Sequence, residues 1–262
     1  MTSPIIEAIF LDLGNTLRIL VKDEAHMAQA RQNITTLVGT NEDPNTFCAK
    51  LEARYKTYRK WAFENLIEAP ESELWTRWLA PEFPTGKIAP QAVELTYQFR
   101  QSMGRRVVIP GGKNVIVTLH QRGYILGIIS NVITSREIPD WMKADGFDPY
   151  FKSVVVSSVF GRRKPDPAIY HEAARLAGVE PARCVYVGDN PKRDVAGTRR
   201  AGFGMIILMM TPEKLKEEPI ADEDRPDLII HEFNELLDVF PPRRELILPN
   251  SQPGVPDGQL SS

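Results

Sequence analysis

The sequence predicts an α/β fold, a Rossmann-like parallel sheet core with an inserted all-helical cap domain. Three observations carry that expectation. Short Val- and Ile-rich runs recur along the chain, and helical segments ending in glycine separate the later runs. A long stretch between the first run and the rest contains nothing strand-like.

The first run covers residues 5–11, and the others cover 125–129, 154–156, 184–187, 205–209 and 228–230. They are continuously apolar rather than alternating, as strands buried on both faces are. Residues 110–122, 166–177 and 193–201 have helical periodicity, and Gly123, Gly178 and Gly202 follow them where a left-handed helix end belongs. Strands alternating with single helices form βαβ units and therefore a parallel sheet. The stretch 21–104 reads instead as helices over 24–38, 44–66, 71–79 and 90–103. Its 84 residues are too many for a plain connection and need packing of their own. The expected organisation is a core of residues 1–20 and 105–240, a helical cap of 21–104, and a tail of 241–262. Five prolines, two glycines and three serines give that tail linker composition, with an apolar triplet at 246–248 able to dock on a partner.

Composition narrows the function. The 262 residues carry 32 Lys and Arg against 34 Asp and Glu, a formal charge of −2 that argues against a general nucleic-acid binder. Cys48 and Cys184 form no CxxC pair, which excludes a disulfide scaffold or zinc ribbon and fits a reducing compartment. No apolar run approaches the ~18 residues of a membrane span. The first residues carry Glu7 and Asp12 where a secretory signal is uncharged, so a cytoplasmic location is expected.

In open α/β sheets ligands bind beyond the carboxyl ends of the strands. Asp12 ends the first strand, followed by Leu13, Gly14, Asn15 and Thr16; Ser130 and Asn131 end the second; Gly188 and Asp189 end the fourth. Asp194 opens the next helix, and Lys164 precedes the helix leading into the fourth strand. Three adjacent carboxylates would repel one another, and one divalent cation with one lysine balances them. Magnesium suits carboxylates, a backbone carbonyl and phosphate oxygens. A carboxylate held there can act as a nucleophile toward phosphorus, while a hydroxyl and backbone N–H groups hold phosphoryl oxygens.

On these residues the sequence resembles the haloacid dehalogenase-like hydrolase superfamily. AIFLDLGNT is similar to its first motif, GIISN to its second, RRKPDPAIY to its third and VYVGDNPKRDVAGTRRAG to its fourth. The four occur in the family's order and span residues 4–20 and 105–240, and a helical cap between the first two motifs also occurs there. The resemblance implies a Mg²⁺-dependent hydrolase acting on a small phosphorylated metabolite. Asp12 would be the nucleophile and form an aspartyl-phosphate. Asp12, the Gly14 carbonyl, Asp189 and Asp194 would hold the metal, Lys164 would neutralise the nucleophile, and Ser130, Asn131 and Lys164 would bind phosphate. Most phosphatase members carry an aspartate two residues after the nucleophile as general acid and base. Here that position is Gly14, which cannot transfer a proton. Arg18 and His26 are substitutes by sequence proximity alone. A non-catalytic ligand-binding member is the alternative, and 2-haloacid dehalogenation a weaker one because it needs no metal ligands.

Other residues read more plainly. Tyr55, Tyr58, Trp61, Phe63, Trp75 and Trp78 are expected to be the cap's own core rather than a substrate wall. Arg54, Lys56, Arg59 and Lys60 among them are expected on a solvated face. His120, His171 and His231 are expected away from the strand ends, and Cys184 buried and inert.

Overall fold

The computed structural model describes residues 5–243, so the expected tail beyond Arg243, including 246–248, lies outside the described residues. Among the described residues, eight strands occur in chain order: β1 (Ala8–Leu11), β2 (Arg18–Val21), β3 (Arg105–Val108), β4 (Ile125–Ser130), β5 (Phe151–Val156), β6 (Cys184–Gly188), β7 (Met205–Met209) and β8 (Leu228–Ile230). Six of them form one sheet in the order β5-β4-β1-β6-β7-β8, and every pair is parallel. The expected α/β sheet is therefore present, with each sheet strand overlapping one of the six apolar runs.

The continuous apolar runs have a direct cause. In β1, Ile9 and Leu11 point into one apolar cluster while Ala8 and Phe10 point into another, and all four are fully buried. The helices Gly112–Gln121 and Glu137–Asp145 supply residues to the first cluster, and the helix Pro167–Ala177 to the second. Gly127 on β4 permits the close packing, because a Cβ there would lie 2.4 Å from the Phe10 ring.

Between β2 and β3 the chain is helical, and it encloses its own apolar cluster. The helices Glu24–Val38, Pro44–Asn65 and Ala92–Gln101 bury Ile34, Phe47, Leu51, Tyr58, Leu95 and Phe99 together with Trp75. Tyr58 and Trp75 are fully buried, and Tyr55, Trp61 and Trp78 pack against the same cluster, as expected for core aromatics. Phe63 departs from that reading and is 53% exposed. Residues 71–79 are a single α turn at Glu71–Glu73 followed by a wider π turn at Leu74–Leu79, not one regular helix.

The antiparallel pair of β2 and β3 is an element the sequence reading missed. Leu20 stands opposite Arg106 and Arg18 opposite Val108. Alternation puts Arg18, Leu20, Arg106 and Val108 on one face of the ribbon. At that face Glu137, 4% exposed, meets three guanidinium groups: Arg18 at 3.0 Å, Arg100 at 2.8 Å and Arg106 at 3.9 Å. Ribbon, cap helix and core helix are tied at this one carboxylate.

Burial alone would push the Glu137 carboxyl up, but Arg100, Arg106 and Arg18 outweigh it and hold the group at about 2 instead of its usual 4.5. A lowered carboxyl stabilises the fold above its unfolded value and loses that contribution as pH falls through the folded value. The expected contribution is about 3 kcal/mol at neutral pH, fading between pH 4.5 and 2. Denaturant unfolding of wild type and Glu137→Gln checks this. The stability gap between them is expected to narrow across that window, and a gap independent of pH contradicts it.

Candidate active site

The sheet order reverses beside β1. Successive strands run outward through β4 and β5, then the chain crosses back to place β6 on the other side of β1. Such a switch point opens a crevice at the carboxyl ends of the strands. Asp12 follows β1, Ser130 ends β4 and Asp189 follows β6, so all three expected residues stand at its rim. They line one cavity of about 280 Å³ together with Gly14, Asn15, Asn131 and Arg193.

Asp12 is held on both oxygens. Oδ1 accepts from its neighbour's Leu13 N–H at 2.7 Å and from Ser130 Oγ at 3.0 Å. Oδ2 faces Lys164 Nζ at 3.1 Å and Arg193 Nη2 at 2.8 Å. The chain then turns sharply: Leu13 C=O accepts from the N–H groups of Thr16, Leu17 and Arg18, and Asn15 takes a left-handed φ of 54°. The Asn15 amide donates to Asp189 Oδ2 at 3.1 Å. Gly14 lines the cavity, and a Cβ built there would meet no atom within 4 Å.

Asp194 is positioned by a helix start. Asn190 accepts from Arg193 N–H at 2.9 Å and caps a π turn at Pro191–Val195, which leads into the helix Ala196–Arg200. The expected helix of 193–201 therefore starts earlier and with a wider turn. Asp194 Oδ2 accepts from the N–H groups of Asp189 and Asn190 at 3.3 and 3.1 Å, packed over Gly188. A Cβ at Gly188 would lie 2.4 Å from that oxygen.

Carboxylate oxygens of Asp12, Asp189 and Asp194 all lie within 4.8 Å of one another, and all three residues are buried. Buried acceptor-only oxygens at that spacing fit a hard divalent cation such as Mg²⁺. Two protein cations share the charge. Lys164 is fully buried and bridges Asp12 and Asp194, at 3.1 and 3.2 Å, while also donating to the Tyr186 hydroxyl. Arg193 Nη2 reaches Asp12 at 2.8 Å, Asp194 at 3.1 Å and Asp189 at 3.2 Å. Burial would raise the Asp194 carboxyl, yet Arg193 and Lys164 hold it well below the carboxylate range. Burial and then the Asp12 charge push Asp189 up, against the pull of Arg193.

Several expectations change here. Lys164 Nζ donates to the Tyr186 hydroxyl and forms ion pairs with Asp12 and Asp194, so its charge is set against the carboxylate trio. The Asn131 side chain donates to Lys164 C=O at 3.0 Å and accepts from Lys164 N–H at 2.8 Å, fixing the lysine's loop, and Asn131 also lines the cavity. His26 pairs with Gln101 at 3.0 Å within the cap and does not line the cavity. Arg18 does line it, but a guanidinium is no proton donor at neutral pH. His120 and His171 lie off the strand ends as expected, but His231 follows β8 and lines a small pocket with Asn15, Asp189 and Lys214. Lys56, Arg59, Lys60 and Phe63 line a second cavity of about 380 Å³ that also reaches Asn131 and Arg193, so this part of the cap helix faces a cleft. Cys184 is buried in β6 with its thiol pushed up to about 12 by burial, as an inert cysteine should be.

Arg193, Tyr186 and the arginines at 18, 100 and 106 were not singled out for these contacts. Arg193 sits inside the fourth motif next to Asp194, the one local signal that could have found it.

Comparison with known proteins gives the family and the fold. The family described as "haloacid dehalogenase-like hydrolase" matches residues 6–202. A glyceraldehyde 3-phosphate phosphatase of Pyrococcus furiosus is 28% identical over 90% of this chain and 93% of its own. A phosphoglycolate phosphatase of Vibrio vulnificus is 29% identical over 91% and 98%. A second glyceraldehyde 3-phosphate phosphatase, of Methanopyrus kandleri, is 36% identical over 47% of this chain, which spans only 52% of that relative. Among solved structures, a 2-haloacid dehalogenase of Pseudomonas syringae aligns with a TM-score of 0.63 at 22% identity, over 89% of this chain and 97% of that one. The hydrolase YfnB of Bacillus subtilis, solved bound to magnesium, aligns at 0.61 and 20%, over 90% and 98%. Among the described residues no helix is long and apolar enough to cross a membrane. The resemblance carried by the four motifs holds, and the chain belongs to the haloacid dehalogenase-like hydrolase family.

Proposed function

We propose that this protein is a Mg²⁺-dependent phosphatase that hydrolyses a small phosphomonoester through an aspartyl-phosphate on Asp12. The observation that carries the reading is the Asp12 carboxylate, oriented by Ser130 and Leu13 at the mouth of a small cavity and neutralised by Lys164. The phosphatase names of the relatives support it. A cavity of about 280 Å³ lies at the small end of ligand sites, in keeping with a small substrate.

Asp12 attacks phosphorus, the bond from phosphorus to the leaving oxygen breaks, and the acyl phosphate forms. Water then attacks the same phosphorus and regenerates Asp12. Ser130 fixes which oxygen of Asp12 faces the substrate, and Lys164 limits repulsion between the carboxylate and the phosphoryl oxygens. Mg²⁺ bound by Asp12, Asp189, Asp194 and the Gly14 carbonyl would supply the remaining positive charge. Arg193 stands among the same three carboxylates, so its guanidinium competes with a cation for them. The helices between β2 and β3 act as a cap that shields the site from water.

Gly14 also favours a second reading, ligand binding without turnover, because the position two residues after Asp12 carries no acid. The two readings separate on activity. Asp12→Asn is expected to abolish Mg²⁺-dependent phosphate release from a panel of phosphorylated metabolites. Full release by that variant overturns the proposed mechanism, and no release by wild type favours the second reading. Since a side chain fits at residue 14, Gly14→Asp is expected to raise turnover of alkyl phosphates roughly 10²-fold while leaving p-nitrophenyl phosphate, whose leaving group needs no proton, much less affected. Equal effects on both substrates count against a missing acid. Arg193→Ala is expected to tighten Mg²⁺ binding by about tenfold in isothermal calorimetry, because a competing cation leaves the trio. Unchanged or weaker binding contradicts the competition.

A further inference from the structure

The cavity that Asp12 lines carries a second group of charges. Its lining includes Arg18, Arg100 and Arg106 as well as the nucleophile and Ser130. Among the described residues, Glu137 is the one carboxylate paired with all three guanidinium groups. Buried ions are ordinarily matched in number, because an unmatched charge out of water costs several kcal/mol. Here one buried carboxylate faces three cations, of which Arg18 is buried and Arg100 and Arg106 are 18% and 14% exposed toward the cavity they line.

The donors left over point the same way. Arg18 is 6% exposed and its terminal nitrogens donate to Glu137 and to Arg106 C=O, whereas Arg100 donates to Glu137 through Nε and Nη2, so among the described residues Arg100 Nη1 and Arg106 Nη2 have no hydrogen-bond partner. Arg106 donates to Arg100 C=O at 2.9 Å and lies no closer than 3.9 Å to Glu137. Burial and the neighbouring Arg100 charge pull the Arg106 guanidinium down to about 10, against the pull of Glu137. Burial likewise lowers Arg18. A further anion in the cavity would relieve both.

We propose that Arg18, Arg100 and Arg106 form a subsite for a second oxyanion of the substrate, in the smallest case a carboxylate, at the end remote from its phosphoryl group. The proposal rests on Asp12 being the group that meets the phosphoryl end. Guanidinium groups bind carboxylates through paired, directed donors, so the subsite both orients the substrate and selects it. A neutral isostere leaves the arginines unmatched and is rejected. The cavity's size restricts the spacer between the two anions to a few carbon atoms.

The test compares 2-phosphoglycolate with 2-hydroxyethyl phosphate, which keeps the skeleton and lacks the carboxylate. Wild type is expected to prefer the first by at least about tenfold in kcat/KM. Arg106→Gln and, separately, Arg100→Gln are expected to erase most of that preference. Lys60→Gln, a charge change in the neighbouring cleft, is expected to keep it. A wild-type ratio near one, or a ratio that responds to Lys60→Gln and not to either arginine variant, overturns the subsite. If neither compound is turned over, calorimetric binding of the same two compounds decides. Binding of 2-phosphoglycolate at least about tenfold tighter, and lost in the arginine variants, upholds the subsite and leaves the hydrolase reading to the metabolite panel. Equal binding of the two sinks the subsite.

Discussion

Charge balance among Asp12, Asp189 and Asp194 is the constraint on which the rest of this structure depends. Three carboxylates within 4.8 Å of one another, all buried, cannot stay ionised without cations in contact with them. Lys164 supplies one from within the protein interior, and its place is fixed by Asn131 gripping both polar groups of its backbone. Arg193 supplies another from the helix start that also carries Asp194. The four motifs are four separate loops that have to arrive together for this balance to exist. The parallel sheet is what brings them, because β1, β4 and β6 are adjacent and end on the same edge.

The same reasoning explains the small residues at that edge. Gly188 lets the Asp194 carboxylate lie directly over the end of β6, where two backbone N–H groups donate to it. A side chain there would push the carboxylate off the strand end and out of reach of Lys164. Gly14 is different, since nothing crowds it. Its lack of a side chain is not a packing requirement, and a glycine there cannot transfer a proton.

The parallel sheet was legible because burial on both faces forces continuous apolar runs, and Ala8–Leu11 is the clearest case. The ribbon of β2 and β3 was not. Each strand has four residues, Ile19, Leu20, Val21 and Val107 are partly exposed, and the partners are separated by the whole helical insertion. The helix Glu137–Asp145 was hidden by Pro139, which its first turn tolerates and a longer helical pattern would not. In the site, Asp12, Ser130, Lys164, Asp189 and Asp194 were readable from their order along the chain. Arg100, Arg106 and Glu137 were not, because in sequence they look like solvated charges and only the fold brings them to one buried point. The bonds from Asn131 to the Lys164 backbone and from Lys164 to Tyr186 were also beyond the sequence, since they depend on how the fold brings separate loops together.

The central claim is that Asp12 forms the covalent bond to phosphorus. Rapid acid quenching during turnover, followed by borohydride reduction and tandem mass spectrometry, reads it directly, because reduction converts an acyl phosphate into the corresponding alcohol. The account predicts a reduced side chain at residue 12 alone, and only when both substrate and Mg²⁺ are present. Phosphate release with residue 12 unmodified, or with the modification at Asp189 or Asp194, would contradict it.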